Sequence, residues 1–140
     1  MILATADSNI YISALQFGGI PLQFLNAARA GAFRLAISEA LMAEIRGVLC
    51  EKFHWSEQMV DEGTTSLRDF TQLATPTKTL RVIAEDPDDD RVIECAVASG
   101  SQFIISGDKH LLRLVQYENI RIVKVSEFLG LIPKPSPDSP

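Results

Sequence analysis

Four aspartates fall within five residues, Asp86, Asp88, Asp89 and Asp90, interrupted only by Pro87. Asp108 follows directly on the apolar run Phe103-Ile104-Ile105, through Ser106-Gly107, and Asp7 closes another apolar run at residues 1–6. Glu44 lies between them in a helical pattern. Carboxylates gathered in one place repel one another unless a cation sits between them. Oxygen ligands suit Mg²⁺ or Mn²⁺, which keep several waters and bridge to substrate phosphates. Water on such an ion is nucleophilic near neutral pH, and the ion offsets charge on a phosphoryl transition state. That chemistry needs neither a histidine nor a serine.

Competing chemistries lack their residues. The chain has no G-x-S-x-G, no Walker loop and no dinucleotide-binding glycine pattern. His54 and His110 have no metal-ligand spacing to each other or to Cys50 and Cys95, which argues against zinc. The two cysteines lie in helical patterns and read as buried free thiols in a reducing compartment. Thirteen Lys and Arg against 18 Asp and Glu give a net charge of −5, which is no basic nucleic-acid footprint. A compact acidic site contributes to that excess, so the sign leaves nucleic acid open as a substrate. Lys109 adjoins the acidic edge in sequence. No apolar run reaches the roughly 18 residues of a membrane span, and the N-terminus lacks the features of a signal peptide. A cytoplasmic protein without membrane attachment is the expectation.

The elements around these acids alternate between strand and helix. Residues 1–6 read as a central strand, and Ser8 or Asn9 can cap a helix through Ile10, Tyr11, Ile12, Ala14 and Leu15. Gly18-Gly19 breaks the chain, Pro21 suits the first turn of a second helix, and Gly31 stops it. Residues 33–37 form a second strand. Ser38 then caps a helix whose buried stripe is Leu41, Met42, Ile45, Val48 and Leu49, with Glu44 on its flank. Ser56 caps a longer helix carrying Met59, Val60, Leu67, Phe70 and Leu73 inward, ended by Pro76. Residues 80–84 read as an edge or crossing strand. The acidic run starts a helix with Val92, Ile93, Ala96 and Val97 on one face, ended by Gly100. A strand at 103–105, a short helix around Leu111–Val115, a last strand at 120–123 and a turn from Ser126 complete the body. Four prolines among residues 133–140 predict a disordered tail behind one domain spanning 1–132. The pattern is that of an α/β domain with a mainly parallel sheet. In such sheets ligands lie beyond the carboxyl ends of the strands, where Asp7, Asp108 and the acidic helix start would meet.

Taken in this order, Asp7-Ser8-Asn9 with IYISAL after it, Glu44 in its helix, DPDDD before a helix ending at Gly100, and SGDKHLL resemble a PIN domain. The style is similar to PIN-family toxin components of bacterial and archaeal toxin–antitoxin systems, and the likeness runs from Ile2 to about Leu131. It implies an α/β/α sandwich around a roughly five-stranded parallel sheet. It also implies a Mg²⁺- or Mn²⁺-dependent ribonuclease site for single-stranded RNA, homodimers, and a cognate antitoxin that blocks the site. Carried over, the catalytic and metal-binding acids are Asp7, Glu44, Asp89 and Asp108, with Ser8, Asn9, Asp90 and Ser106 as accessory candidates. Ser8 stands where threonine is more usual, and His110 where an acid is often found. The acidic run is richer than the pattern requires. Successive side chains at a helix start diverge by about 100°, so Asp88, Asp89 and Asp90 cannot share one target. Asp89 continues the apolar face, Asp88 suits capping, and Asp90 points off the stripe towards solvent while remaining a candidate ligand.

Two other readings use the same residues. A receiver-type phosphoacceptor domain also gathers acids around Mg²⁺, but it phosphorylates a mid-chain strand-end aspartate, and here the 33–37 strand ends in Ser38. A catalytically silent PIN-fold RNA-binding scaffold is the other, against which the intact set of four acids argues.

Overall fold

Strand β1 (Leu3–Ala6) is buried at every position, as expected of a strand covered on both faces. It lies inside a sheet of order β3-β2-β1-β4-β6-β5. The remaining strands are β2 (Arg34–Ile37), β3 (Thr71–Leu73), β4 (Phe103–Ile105), β5 (Gln116–Tyr117) and β6 (Ile120–Val123). The pairs β1–β2, β2–β3, β1–β4 and β4–β6 are parallel, and only the two-residue β5 runs antiparallel, against β6. This computed structural model describes residues 1–133. Residues 134–140, most of the predicted tail, lie outside the described residues.

Seven helices flank the sheet among the described residues: α1 (Ser8–Phe17), α2 (Gly19–Arg29), α3 (Glu39–Glu51), α4 (Glu57–Phe70), α5 (Pro87–Ser99), α6 (Lys109–Leu114) and α7 (Val125–Leu129). Together they make an α/β/α sandwich, as the resemblance implied. The chain builds outward from β1 through β2 to β3, then crosses back to place β4 on β1's other side. The point where the order reverses, between β1 and β4, is where a crevice opens at the strands' carboxyl ends. The opposite, N-terminal edge is closed by aromatic packing. Phe128 of α7 meets Phe33 at 4.8 Å, Phe103 at 5.5 Å and Phe24 at 5.6 Å between ring centroids, at steep angles that suit edge-to-face contact.

Several boundaries differ from the expectation. The cap of α1 is Asp7, not Ser8 or Asn9. Helix α4 ends at Phe70, three residues before Leu73, which belongs to edge strand β3 and is 53% exposed; Met59 of α4 is exposed as well. The apolar spacing ran on past the helix, and pairing of Leu35–Ile37 with Thr71–Leu73 decided the matter. Residues 80–84 form no strand. They belong to an irregular strap over 74–86 that lies along α5, where its backbone amides are held by side chains of the helix. On α5, Val97 is exposed while Glu94 and Cys95 are buried. At 100° per residue Val97 sits roughly 90° from the centre of the Val92–Ile93–Ala96 stripe. Val97 shares the flank of Asp90 but lies two turns further on, where it borders a cleft beside strap residues Pro76, Thr77, Lys78 and Leu80 and keeps part of its surface in solvent.

Candidate active site

Asp7 leaves the end of β1 and caps α1. Its Oδ1 accepts the Asn9 backbone N–H at 3.2 Å and the Ser8 hydroxyl at 3.3 Å, and its Oδ2 accepts the Ser106 hydroxyl at 2.9 Å. Asp7 is only 4% exposed, and burial, joined by the nearby Asp108 charge, raises its pKa despite these bonds. Asn9 serves Asp7 through its backbone, and its side chain is exposed. Ser8 is fully buried, and its hydroxyl also lies within reach of Glu44 on α3. Glu44 is half-buried, and burial raises its pKa against the Ser8 hydrogen bond, with Asp7, Asp88 and Asp86 adding repulsion.

Asp108 stands beyond β4 and caps α6. Its Oδ1 accepts the His110 N–H at 2.7 Å, and its own N–H donates to Ser106 Oγ at 2.9 Å. Ser106 is thus buried between two acids, donating to one and accepting from the other. His110 contributes its backbone N–H here, while its Nδ1 is buried without a partner.

The acidic run divides its labour. Asp86 is the N-cap of α5, accepting the Asp88 N–H on Oδ1 at 3.1 Å, with Pro87 at the first helical position. Asp88 is exposed and does not cap, contrary to expectation, because the Asp86-Pro87 pair just before it already meets the capping geometry. Asp89 faces inward, as its place on the stripe predicts, and is 5% exposed. Its Oδ2 is buried and accepts no hydrogen bond. Burial first, then the charges of Asp108, Asp86 and Asp7, push the Asp89 pKa up to about 8. Asp90 is the main correction. It does not point to solvent, nor does it join the other acids. It is 3% exposed, and its Oδ1 accepts the N–H groups of Val82 at 3.0 Å and Ile83 at 2.8 Å, pinning the strap to α5. Glu94, one turn on, accepts the Leu80 N–H at 2.7 Å and pairs with Arg91.

Asp86, Asp89 and Asp108 each bring one carboxylate oxygen into a group whose members all lie within 4.8 Å of one another. The four ion pairs among the described residues all lie elsewhere. A buried oxygen without a donor, beside two further carboxylates and with no matching cation among the described residues, fits a hard divalent ion such as Mg²⁺ or Mn²⁺.

The PIN domain family model matches residues 5–110, a span that begins just before Asp7 and ends just after Asp108. The chain belongs to the PIN-domain family. A PIN fold is also what structural comparison returns. One chain of the crystal structure of VapBC2 from Rickettsia felis, bound to a DNA fragment from their promoter, superposes with a TM-score of 0.62 at 14% identity, covering 86% of this chain and 97% of that one. No curated protein sequence matches significantly. In this PIN domain the four acids carried over from the family pattern, Asp7, Glu44, Asp89 and Asp108, do converge on one sheet edge, and Ser8 and Ser106 bind them. The pattern missed Asp86. Its signal was present in the sequence: an aspartate followed by proline at a helix start is a strong N-cap, and that cap is directed to the same edge.

Proposed function

We propose that this PIN domain is a Mg²⁺- or Mn²⁺-dependent endoribonuclease that hydrolyses phosphodiester bonds of single-stranded RNA. The observation that carries this reading is the buried Asp89 carboxylate, grouped with those of Asp86 and Asp108 and with its Oδ2 lacking a donor. Asp7, Glu44, Asp89 and Asp108 would hold the ion, which would supply an activated water and offset charge on the phosphate. The chain's own residues set that site. Ser106 and Ser8 orient Asp7, Asp108 is fixed through the His110 amide of α6, and Asp89 holds a proton below about pH 8 when no cation is bound.

The likeness of the motifs to PIN-family toxins is the ground for a further reading: a toxin of a toxin–antitoxin pair, acting in the cytoplasm as a homodimer, with a cognate antitoxin covering the site. No described helix is long and apolar enough to cross a membrane. The receiver-type alternative is set aside, because its parallel strands run 2-1-3-4-5, whereas the five parallel strands here, counted in chain order, run 3-2-1-4-5.

The test is cleavage of an end-labelled single-stranded RNA with Mg²⁺ or Mn²⁺. Cleavage that stops on adding EDTA and is lost in Asp89→Asn is the expected result. RNA that is bound but never cut, at any metal concentration, would instead favour the scaffold reading.

A further inference from the structure

We infer that Asp86 is itself a cation ligand, so that this chain's metal site extends beyond the four acids of the family pattern onto the cap of α5. The inference rests on the metal-dependent reading above, and three observations carry it. The first is distance: the group within 4.8 Å comprises Asp86, Asp89 and Asp108, and neither Asp7 nor Glu44 belongs to it. The second is the Asp89 Oδ2 atom, buried in a side chain only 5% exposed and accepting no hydrogen bond, which marks a place where positive charge is missing.

The third is how each carboxylate divides its two oxygens. Asp86 Oδ1 accepts the Asp88 N–H and Asp108 Oδ1 accepts the His110 N–H, leaving the second oxygen of each without a hydrogen bond among the described residues. Asp7, by contrast, has both oxygens engaged, one by Asn9 and Ser8 and the other by Ser106. Asp86, Asp89 and Asp108 thus stand together with an oxygen each to spare, whereas Asp7 has none. Asp86 anchors the helix with one oxygen and offers the other to the ion, while Asp7 and Glu44 border the group from the α1–α3 side and face it through charge.

Asp86→Asn separates the two roles, because asparagine keeps a capping oxygen but loses the charge and most of the ligand strength. Mn²⁺ binding to the full chain would be measured by electron paramagnetic resonance titration at pH 8, with Asp88→Asn as a control that removes a neighbouring exposed charge. We expect Asp86→Asn to weaken Mn²⁺ binding at least about tenfold, with the metal-free melting temperature unchanged or raised, and Asp88→Asn to change it less than about threefold. If Asp86→Asn binds Mn²⁺ as wild type does while Asp89→Asn does not, Asp86 is a cap and nothing more. If wild type binds no Mn²⁺, the metal-dependent reading falls and this inference with it. Should Asp86→Asn fold poorly, Asp86→Ser, which also caps and carries no carboxylate, answers the same question.

Discussion

The Ser106 hydroxyl donates to Asp7 Oδ2 across 2.9 Å, joining the ends of β1 and β4 at the edge where the acids gather. Ser106 Oγ in turn accepts the Asp108 N–H, so one buried side chain sets the separation of two carboxylates. Ser106→Ala removes both bonds without adding bulk. Cleavage should fall about 10- to 100-fold, the scale for losing a group that orients a metal ligand. The melting temperature should fall by roughly 3–8 °C, because the Asp108 amide loses its acceptor. Kinetics and thermal melts on the purified variant check both, and an unchanged rate would mean that Asp7 is held adequately without it.

Neighbouring aspartates on α5 should respond in opposite ways. Asp89→Asn removes a carboxyl that must take up a proton to be buried near neutral pH, so it should raise metal-free stability while reducing cleavage at least about a hundredfold. Asp90→Ala strips the acceptor from two strap amides and should cost on the order of 3 kcal/mol in denaturant unfolding. Asp90→Asn, which keeps an oxygen for those amides, should lose less stability and cleave near the wild-type rate. An Asp90→Asn protein that is inactive beside an Asp89→Asn protein that cuts normally would reverse the assignment.

The Asp89 proton predicts a pH dependence with a definite sign. Unfolded, the carboxyl titrates near 3.8; folded, it titrates near 8, so between these values the native state keeps a proton that the unfolded chain has released. Metal-free stability should therefore be highest at the acid end of this window, decline as pH rises through it, and level off above about 8. Asp7 and Glu44, also raised, add to the same slope. A cation must displace the Asp89 proton, so Mg²⁺ or Mn²⁺ affinity should rise about tenfold per pH unit up to about 8. At pH 8, millimolar metal should raise the melting temperature. Melting curves from pH 5 to 9, with and without metal, in wild type and Asp89→Asn, test each part, and a wild-type curve indifferent to both pH and metal would refute it.

Where local chemistry decides structure, the sequence could be read closely. Ser38 and Ser56 cap α3 and α4 through their hydroxyls, as their positions before apolar stripes predict. Asp7 and Asp108 follow short buried strands, and an acid at a strand end can be placed without knowing its neighbours. The acidic run was only half legible for a related reason. The helical period shows that Asp89 and Asp90 diverge, but what each meets depends on distant chain. Asp89 meets Asp108 from beyond β4, and Asp90 meets a strap whose residues 80–84 read as a strand but form none. Strand β3 was hidden for the same cause, since Leu73 continues the spacing of α4 and only β2 claims it for the sheet.

The crossing of the chain from β3 back to β4 has a consequence for biosynthesis. The Asp7–Ser106 bond spans 99 positions of sequence, and Asp108 comes later still. A ribosome delivers the amino-terminal part of a chain first. An emerging polypeptide that has completed β1, α3 and even α5 therefore owns Asp7, Glu44 and Asp89, yet lacks the strand that brings them a fourth carboxylate and the hydroxyl that aligns the first. Under the proposed function, the nuclease stays unassembled until the segment carrying Ser106 and Asp108 has been translated, so the RNA that encodes it is read past those codons before the product can cut anything.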